Sequence, residues 1–511
     1  MTVRTRFAPS PTGYIHVGNV RSALYPYLIA RQTSGQFILR IEDTDQARFV
    51  EGAEDLIKDT LNWLGLNWDE GPVFGQTDKE TGDFGPYHQT SRREIYLKWA
   101  RELIDRGLAY ADPYSPEEVQ AFRDQAKSEK RAFLYRQHRP NNPPEWHLGM
   151  PLRFRVPEIK RYTWRDAVMG EMSAGPEALD DFILIKADGL PTYNFAHIVD
   201  DFEMKITHVI RGAEYVASMP KYLSLYEALG FDMSQSDAHQ VIEQGDKSTS
   251  TPQPDKPRLP IFAHVPHILA PSGNKKLGKR DGAKSVTEYR DEGILPEAMI
   301  NFLAQLGWND GTEQDVYSLN ELIEKFSLDR VQRSSARFDE QRLIWLNGQW
   351  IRRLELDDLY DRVSDLWSDS AINYDEAYKR QVLVLAQDRL KTLCDLPNLT
   401  SYFFEEPPID EDLITNNKQL RKLTAEERRD LLETARTELA KIAGWTPEDI
   451  QNCLNELLEI TGQKPGILFS LIRIVVTWAP FSPQLNDTLA LIGRERTLAR
   501  LERGIAAFSA A

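Results

Sequence analysis

Cysteine is nearly absent from this chain, with Cys394 and Cys453 the two among 511 residues. Their wide separation excludes a disulfide framework and a short-spaced metal knuckle. No apolar run approaches the roughly 20 residues needed to cross a bilayer, so no membrane span is expected. The first residues, Met1-Thr2-Val3-Arg4-Thr5-Arg6-Phe7, read as a strand and hold no apolar signal stretch. The cytoplasm is the expected location. Positive charge is also in deficit: 62 Lys and Arg against 78 Asp and Glu leave a formal net charge of −16. That balance argues against a nucleic-acid partner, because phosphates favour basic surfaces. Only local basic clusters and a specific site signature can outweigh it.

What is present is globular material in quantity. An apolar share of 41% beside 27% charged residues is ordinary for a folded chain, and the length implies three or four domains. A first strand near Val3–Ala8 leads into the turn-rich Pro9-Ser10-Pro11-Thr12-Gly13. A helix follows from about Gly18, with Val20, Ala23, Leu24, Tyr27 and Leu28 on one face. Gly35 stops it, Phe37–Ile41 reads as a buried strand, and a second helix spans about Gly52 to Leu64. This alternation predicts an α/β fold with a doubly wound parallel sheet, which binds ligands at the carboxyl ends of its strands. From about 85 to 190 the pattern breaks into an α+β insertion. It holds a capping-box helix start at Ser115-Pro116-Glu117-Glu118, a basic proline-rich stretch to Pro144, and a strand at Leu152–Val156. The sheet resumes at Ile206–Gly212, with a helix near Tyr222–Leu229. Residues 244–258 are a polar low-complexity loop. Beyond about 330 the chain reads as helices throughout, with starts at Thr424 and Thr446.

Two segments carry candidate chemistry. Pro9–Asn19, containing His16-Val17-Gly18-Asn19, delivers the chain to a helix N-terminus, where unpaired amides and the helix dipole favour nucleotide phosphates. His16 can donate to a phosphate, and Gly18 can let a nucleotide lie against bare backbone. Lys275-Lys276-Leu277-Gly278-Lys279-Arg280 clusters ammonium groups on a glycine-flanked loop, suited to a triphosphate and its leaving pyrophosphate. Alone, the first reads rather as a helix start with a surface histidine, and the second as a solvated basic loop.

Order and spacing change that balance. Between these segments lie Arg40-Ile41-Glu42-Asp43-Thr44-Asp45, Tyr193–Asp201 and Ile210-Arg211-Gly212. With Arg6–Gly13 they make the chain resemble the bacterial-type glutamyl-tRNA synthetases, a branch of the class I aminoacyl-tRNA synthetases, from end to end. His16–Asn19 matches that family's "HIGH" signature and Lys276–Arg280 its "KMSKS" signature.

The resemblance implies a Rossmann-like catalytic domain with an α+β insertion, followed by an all-helical anticodon-binding region. The expected boundaries are 1–85 for the first catalytic half, 86–190 for the acceptor-end insertion, and 191–270 for the second half. A stem-contact region at 271–330 and two helical subdomains, 331–395 and 396–511, complete the chain. The implied reaction joins L-glutamate to tRNA(Glu), with tRNA(Gln) a second candidate, through a glutamyl-adenylate formed from ATP with Mg²⁺. Similar enzymes usually need bound tRNA for the first step. The implied ATP contacts are Thr12, His16, Gly18, Glu214, Leu269, Lys276, Lys279 and Arg280, with His16, Lys276 and Lys279 catalytic. For glutamate they are Arg6, Ala8, Ser10, Glu42, Tyr193, His197 and Arg211. Arg6 and Arg211 are the carboxylate readers and Glu42 the ammonium partner, while His197 is also read as structural. An internal pair of Glu42 with an arginine is the competing reading.

No metal ligands are assigned. Relatives that carry zinc in the insertion use cysteines, and Ala111-Asp112-Pro113-Tyr114 has none, so no zinc is expected. Gly278 stands where many relatives have serine. Candidate tRNA patches are Lys127–Arg139, then Arg330, Arg333 and Arg337, then Arg494, Arg496, Arg500 and Arg503. A monomer is expected. The weighed alternatives are a glutaminyl enzyme, a tRNA-modifying or silent paralogue, and a small-molecule nucleotidyltransferase.

Overall fold

The protein is described here by a computed structural model, in which residues 2–76, 79–233, 257–278 and 284–509 are described. It divides into two compact units, one of Met1–Tyr289 with Met299–Glu340, the other of Arg290–Ala298 with Gln341–Ala511. In the first unit the strands are β1 (Arg4–Phe7), β2 (Gln36–Leu39), β3 (Gly71–Pro72), β4 (Glu80–Thr81), β5 (Ala109–Ala111) and β6 (Leu152–Phe154). They continue as β7 (Tyr162–Asp166), β8 (Gly170–Ala174), β9 (Ile183–Ile185), β10 (His208–Gly212), β11 (Ile261–Val265), β12 (Ile268–Leu269) and β13 (Ala336–Arg337). Its first six helices are α1 (Val17–Gln32), α2 (Ala53–Trp63), α3 (Arg93–Asp105), α4 (Pro116–Ser128), α5 (Tyr193–Glu203) and α6 (Met219–Ala228).

The central sheet assembles out of sequence order. β1 pairs in parallel with β2, Arg4 opposite Gln36 and Phe7 opposite Leu39. On its other side the Thr207 N–H donates to the Arg4 carbonyl at 2.9 Å, which sets β10 beside β1. β10 pairs in parallel with β11, and β11 meets β7 at Phe262 and Asp166. β1 and β2 are buried along most of their length and lack polar alternation, as expected of parallel strands covered on both faces. α1 closes one face; Val20, Ala23, Leu24, Tyr27 and Leu28, the stripe expected from spacing, are all buried.

The hairpin β7–β8 departs from the expected insertion. It pairs antiparallel from Tyr162–Ala174 to Asp166–Gly170 and forms an edge of the central sheet. The alternation Tyr162 in, Thr163 out, Trp164 in is a period-two strand signal. The rest of that region makes a separate three-stranded sheet, β5–β6–β9. There Asp112 accepts from Arg153 Nη2 at 2.7 Å and from the Tyr135 hydroxyl at 2.5 Å, so an ion pair and a phenol hold this corner. The capping box at Ser115 forms as expected, with Glu118 as its partner.

One clasp ties α2 to the segment after β4. His88 Nδ1 lies 2.7 Å from Glu80 and Nε2 lies 3.1 Å from Glu54. The Glu54 bond, opposed by burial and helped by Glu80, raises the imidazole pKa from 6.5 to about 9. A raised folded-state pKa gives stability that is complete below pH 6.5 and fades as pH climbs through 9. Between pH 7 and 10 the thermal midpoint of the wild type is therefore expected to fall more than that of His88→Gln. Parallel curves would remove His88 from the balance.

The second unit is built of helices, among them Ala425–Leu439, Pro447–Thr461, Pro465–Thr477 and Arg494–Ser509. Thr424 caps the first of these in a capping box, and Gly462 closes the second in the left-handed region at φ 63°. Leu432, Ala435, Leu454, Leu471 and Leu501 belong to its core. The reading of helices throughout beyond residue 330 needs one correction: Ala336–Arg337 pairs in parallel with Ile268–Leu269. Two residues are too few to leave a periodic signal.

Candidate functional site

A cleft of about 590 Å³ opens at the carboxyl ends of β1, β2 and β10. Arg6, Ala8, Ser10, Thr12, Glu42, Tyr193, Arg211 and Glu214, all expected from sequence, line it together. So do Asn19 and Thr44, which stand in the quoted motifs without an assigned role, and Ser22, Gln89, Lys186 and Tyr215, which sequence reasoning did not single out.

Beneath the cleft lies a buried ionic lattice. Arg6 meets Asp201 through Nε at 3.1 Å and Nη2 at 3.3 Å, and its Nη1 donates to the Ile210 carbonyl. Arg40 bridges Asp201 at 2.7 Å and Glu42 at 3.0 Å. Asp200 accepts from Arg92 Nε at 2.6 Å, from Gln89 at 2.8 Å, and from the Tyr96 hydroxyl at 2.9 Å. The register of α5 explains the cluster, because Tyr193, His197, Asp200 and Asp201 fall at i, i+4, i+7 and i+8 on one face. Burial would raise the Asp201 pKa, but Arg6 and Arg40 hold it well below the ordinary carboxylate range. For Glu42 burial prevails over Arg40 and lifts the pKa. Three guanidiniums, of Arg6, Arg40 and Arg92, thus face three carboxylates, of Glu42, Asp200 and Asp201.

Arg211 stands apart from this balance. Its guanidinium is buried, and among the described residues it makes no carboxylate pair. Its neighbours are neutral: Nε donates to His264 Nε2 at 3.2 Å, Nη1 faces His197 Nε2 at 3.3 Å, and Nη2 meets the Met219 sulfur at 3.2 Å. Tyr215 and Tyr222 offer ring faces at 4.9 and 4.8 Å. Burial, reinforced by Arg211, pushes the His197 pKa well below 6.5, so the ring is neutral. A buried cation without a counter-ion, at the wall of a cleft, is a site for an anionic ligand. His197 itself does not line the cleft; it lies behind Tyr193, stacked at 4.7 Å.

The first signature segment meets the chain just beyond the basic loop. His16 pairs with Ser285 in an antiparallel bridge, and the Val286 N–H donates to the Ile15 carbonyl. His16 caps α1, its Nδ1 accepting the Gly18 N–H at 3.0 Å. In a neutral ring the proton then sits on Nε2. A Cβ at Gly18 would come within 2.8 Å of the His16 ring, so this glycine makes room for the histidine beside it. Lys276 Nζ binds Glu214 at 2.8 Å, and Leu269 pairs with Lys276 across an antiparallel bridge. Neither Lys276 nor Leu269 lines the cleft. Lys279, Arg280 and most of the 244–258 loop lie outside the described residues.

Several candidate tRNA cations turn out to be committed within the protein. Arg337 donates to the carbonyls of Ala270, Pro271 and Gly273, steadying the approach to Lys276. Arg500 is buried and donates to Val476, Tyr402 and Glu405 carbonyls. Among the described residues no group of three His, Cys, Asp or Glu is arranged to hold a metal ion, and no helix is long and apolar enough to cross a membrane.

The family model for the tRNA synthetases class I (E and Q), catalytic domain, matches residues 2–251 and 256–345, and an anticodon binding domain matches 358–505. The chain belongs to the class I tRNA synthetases of the glutamate and glutamine branch. A glutamate–tRNA ligase of Clostridium kluyveri is 37% identical over 98% of this chain and 97% of its own length. Another, of Moorella thermoacetica, is 38% identical over 98% of this chain and 97% of its own. The crystal structure of a glutamate tRNA ligase from Elizabethkingia meningosepticum in complex with its amino acid matches with a TM-score of 0.81. It is 30% identical and covers 99% of this chain and 100% of that one.

Proposed function

We propose that this enzyme is a glutamate–tRNA ligase acting in the cytoplasm as a monomer, with Arg211 reading the side-chain carboxylate of its amino acid. The carrying observation is that Arg211 is a buried cation at the cleft without a carboxylate partner among the described residues. Glutamate supplies that charge and glutamine does not. Arg6, held by Asp201, frames the same pocket, and Glu42 faces the α-ammonium while Arg40 occupies its Oε1. Ala8, Ser10 and Tyr193 complete the walls. ATP enters as its Mg²⁺ complex against Thr12, His16 and Gly18, with Glu214 and Leu269 toward the nucleoside.

The chemistry needs no protein nucleophile. An oxygen of the substrate α-carboxylate attacks the α-phosphorus, and pyrophosphate leaves, giving glutamyl-adenylate. Lys276, Lys279 and Arg280 stabilise the charge that grows on the departing phosphates. A ribose hydroxyl of the terminal tRNA nucleotide then attacks the activated carbonyl, and AMP leaves. The experiment is aminoacylation of purified tRNA(Glu) and tRNA(Gln), each offered glutamate or glutamine. Glutamate joined to tRNA(Glu) is expected, and charging with glutamine would sink the reading. The tRNA(Gln) lane reports the breadth of tRNA choice.

In the second unit, a cleft of about 480 Å³ lined by Arg389, Lys391, Asn398, Arg473, Phe481 and Ser482, with Asp395 the one acidic residue in its wall, suits an anticodon base. Phe481 is 70% exposed, and Arg473 Nε is buried without a hydrogen-bond partner among the described residues. An open aromatic face beside three cations fits a stacked base and its phosphate. Arg473→Ala is expected to raise KM for tRNA by roughly tenfold and leave KM for ATP unchanged. An unaltered tRNA KM would move recognition elsewhere.

A further inference from the structure

Arg211 is held by a second, deeper pair. Asp166, at the end of β7, takes three backbone N–H groups on Oδ1, from Val168 at 3.0 Å, Met169 at 2.9 Å and His264 at 3.1 Å. Its Oδ2 lies 2.5 Å from His264 Nδ1. Backbone amides can only donate, so Oδ1 must accept, and an ionised Oδ2 can only accept as well. The His264 proton therefore sits on Nδ1. Nε2 is left bare, and it receives Arg211 Nε at 3.2 Å. His197 repeats the device: its Nδ1 lies 2.7 Å from the Tyr193 carbonyl, which leaves Nε2 as the acceptor facing Arg211 Nη1. Both rings thus orient the guanidinium without neutralising it. Burial lowers the pKa of His264, which keeps the ring neutral and accepting.

We propose that Asp166 and His264 are positioning residues that fix Arg211 toward the cleft with its charge uncompensated, and so set the preference for a carboxylate over a carboxamide side chain. The inference rests on the assignment of Arg211 to the substrate carboxylate. A carboxylate in direct contact with Arg211 would cancel the charge the substrate must meet. The neutral imidazole between them transmits orientation and keeps the two charges apart. Both residues arrive through strand pairing, since β7 meets β11 at Asp166 and Phe262, two residues before His264.

The discriminating variant is Asp166→Asn. Its amide oxygen must stay on the three backbone N–H groups, so its NH2 faces His264 Nδ1. The ring then takes the Nε2–H tautomer and turns a donor against the Arg211 N–H. In aminoacylation with tRNA and ATP saturating, KM for glutamate is expected to rise roughly 10- to 100-fold, with kcat and KM for ATP within about threefold. Adding His264→Gln to Asp166→Asn restores an acceptor to Arg211 and is expected to recover at least a threefold part of that loss. A glutamate KM within about twofold of wild type in Asp166→Asn, or a double variant no better than the single, would overturn the proposal. Should Asp166→Asn fail to fold, ¹⁵N NMR of the histidine-labelled wild type decides, with the His264 signal assigned by its loss in His264→Gln. An Nδ1–H tautomer supports the pair and an Nε2–H tautomer refutes it. A wild type that charges no tRNA with glutamate would refute the proposed function instead, and the NMR readout would still judge the pair.

Discussion

Replacing Arg211 with methionine is expected to lower kcat/KM for glutamate by roughly 10³-fold or more, read by ATP–pyrophosphate exchange with tRNA present. The size follows from removing one partner of a desolvated, hydrogen-bonded charge pair, worth about 4–5 kcal/mol where the geometry is enclosed. Stability should behave differently. In the free enzyme Arg211 is a buried charge with neutral neighbours, and its loss relieves that cost while orphaning the His197 and His264 acceptors. These effects oppose each other, so the thermal midpoint should stay within a few degrees of wild type. A variant that keeps near-normal glutamate activation would remove Arg211 from the site. One that unfolds would show the residue to be structural.

Asp201→Asn should give a different signature. Asp201 lies between Arg6 and Arg40, and all three side chains are buried. Neutralising it leaves three guanidiniums against two carboxylates, and breaking a buried pair in this way costs about 3–5 kcal/mol. Against a typical total of about 5–15 kcal/mol this is severe. The transition of the first unit should drop by on the order of 10 °C, and glutamate binding should weaken because Arg6 loses its anchor. A midpoint within about 2 °C of wild type would mean that water or a local shift solvates the unpaired guanidinium. The contrast is informative: Arg211→Met removes function with the fold kept, whereas Asp201→Asn damages both.

The sequence was most legible where function is written in contiguous residues. His16–Asn19 and Arg6–Gly13 are continuous stretches, and the cleft brings Arg6, Ala8, Ser10 and Thr12 together with Arg211 as expected. Helix starts were legible for the same reason: a capping box spans four residues, and those at Ser115 and Thr424 form. What stayed hidden depends on register between distant segments. Nothing near Asp166 announces His264, 98 residues on. Arg6 and Asp201 are separated by 195 residues, and Asp201 looked like part of a local string with no sign that it anchors two arginines. The arginines near the C-terminus looked like a phosphate-binding stripe, because spacing does not reveal that Arg500 turns inward to carbonyls. The competing reading of Glu42, an internal pair with an arginine, is present: its Oε1 meets Arg40 at 3.0 Å.

The order of strands also sets a timetable for synthesis. β1 emerges from the ribosome first, yet one of its edges waits for Thr207, whose N–H closes on the carbonyl of Arg4, 203 positions earlier, and β10 in turn waits for β11. At roughly 5–20 residues per second, the strand carrying Arg6 has an unfilled edge for some tens of seconds on each new chain. During that interval Arg6 and Arg40 lack Asp201, and of the two only Arg40 has a carboxylate of its final set, Glu42, already made. Such an edge is open to mispairing and a natural client for a holding chaperone. A chain interrupted before residue 201 would lack the counter-charges as well as the missing strands, so ribosome-bound fragments should gain protease resistance in one step once β10 and β11 have cleared the exit tunnel.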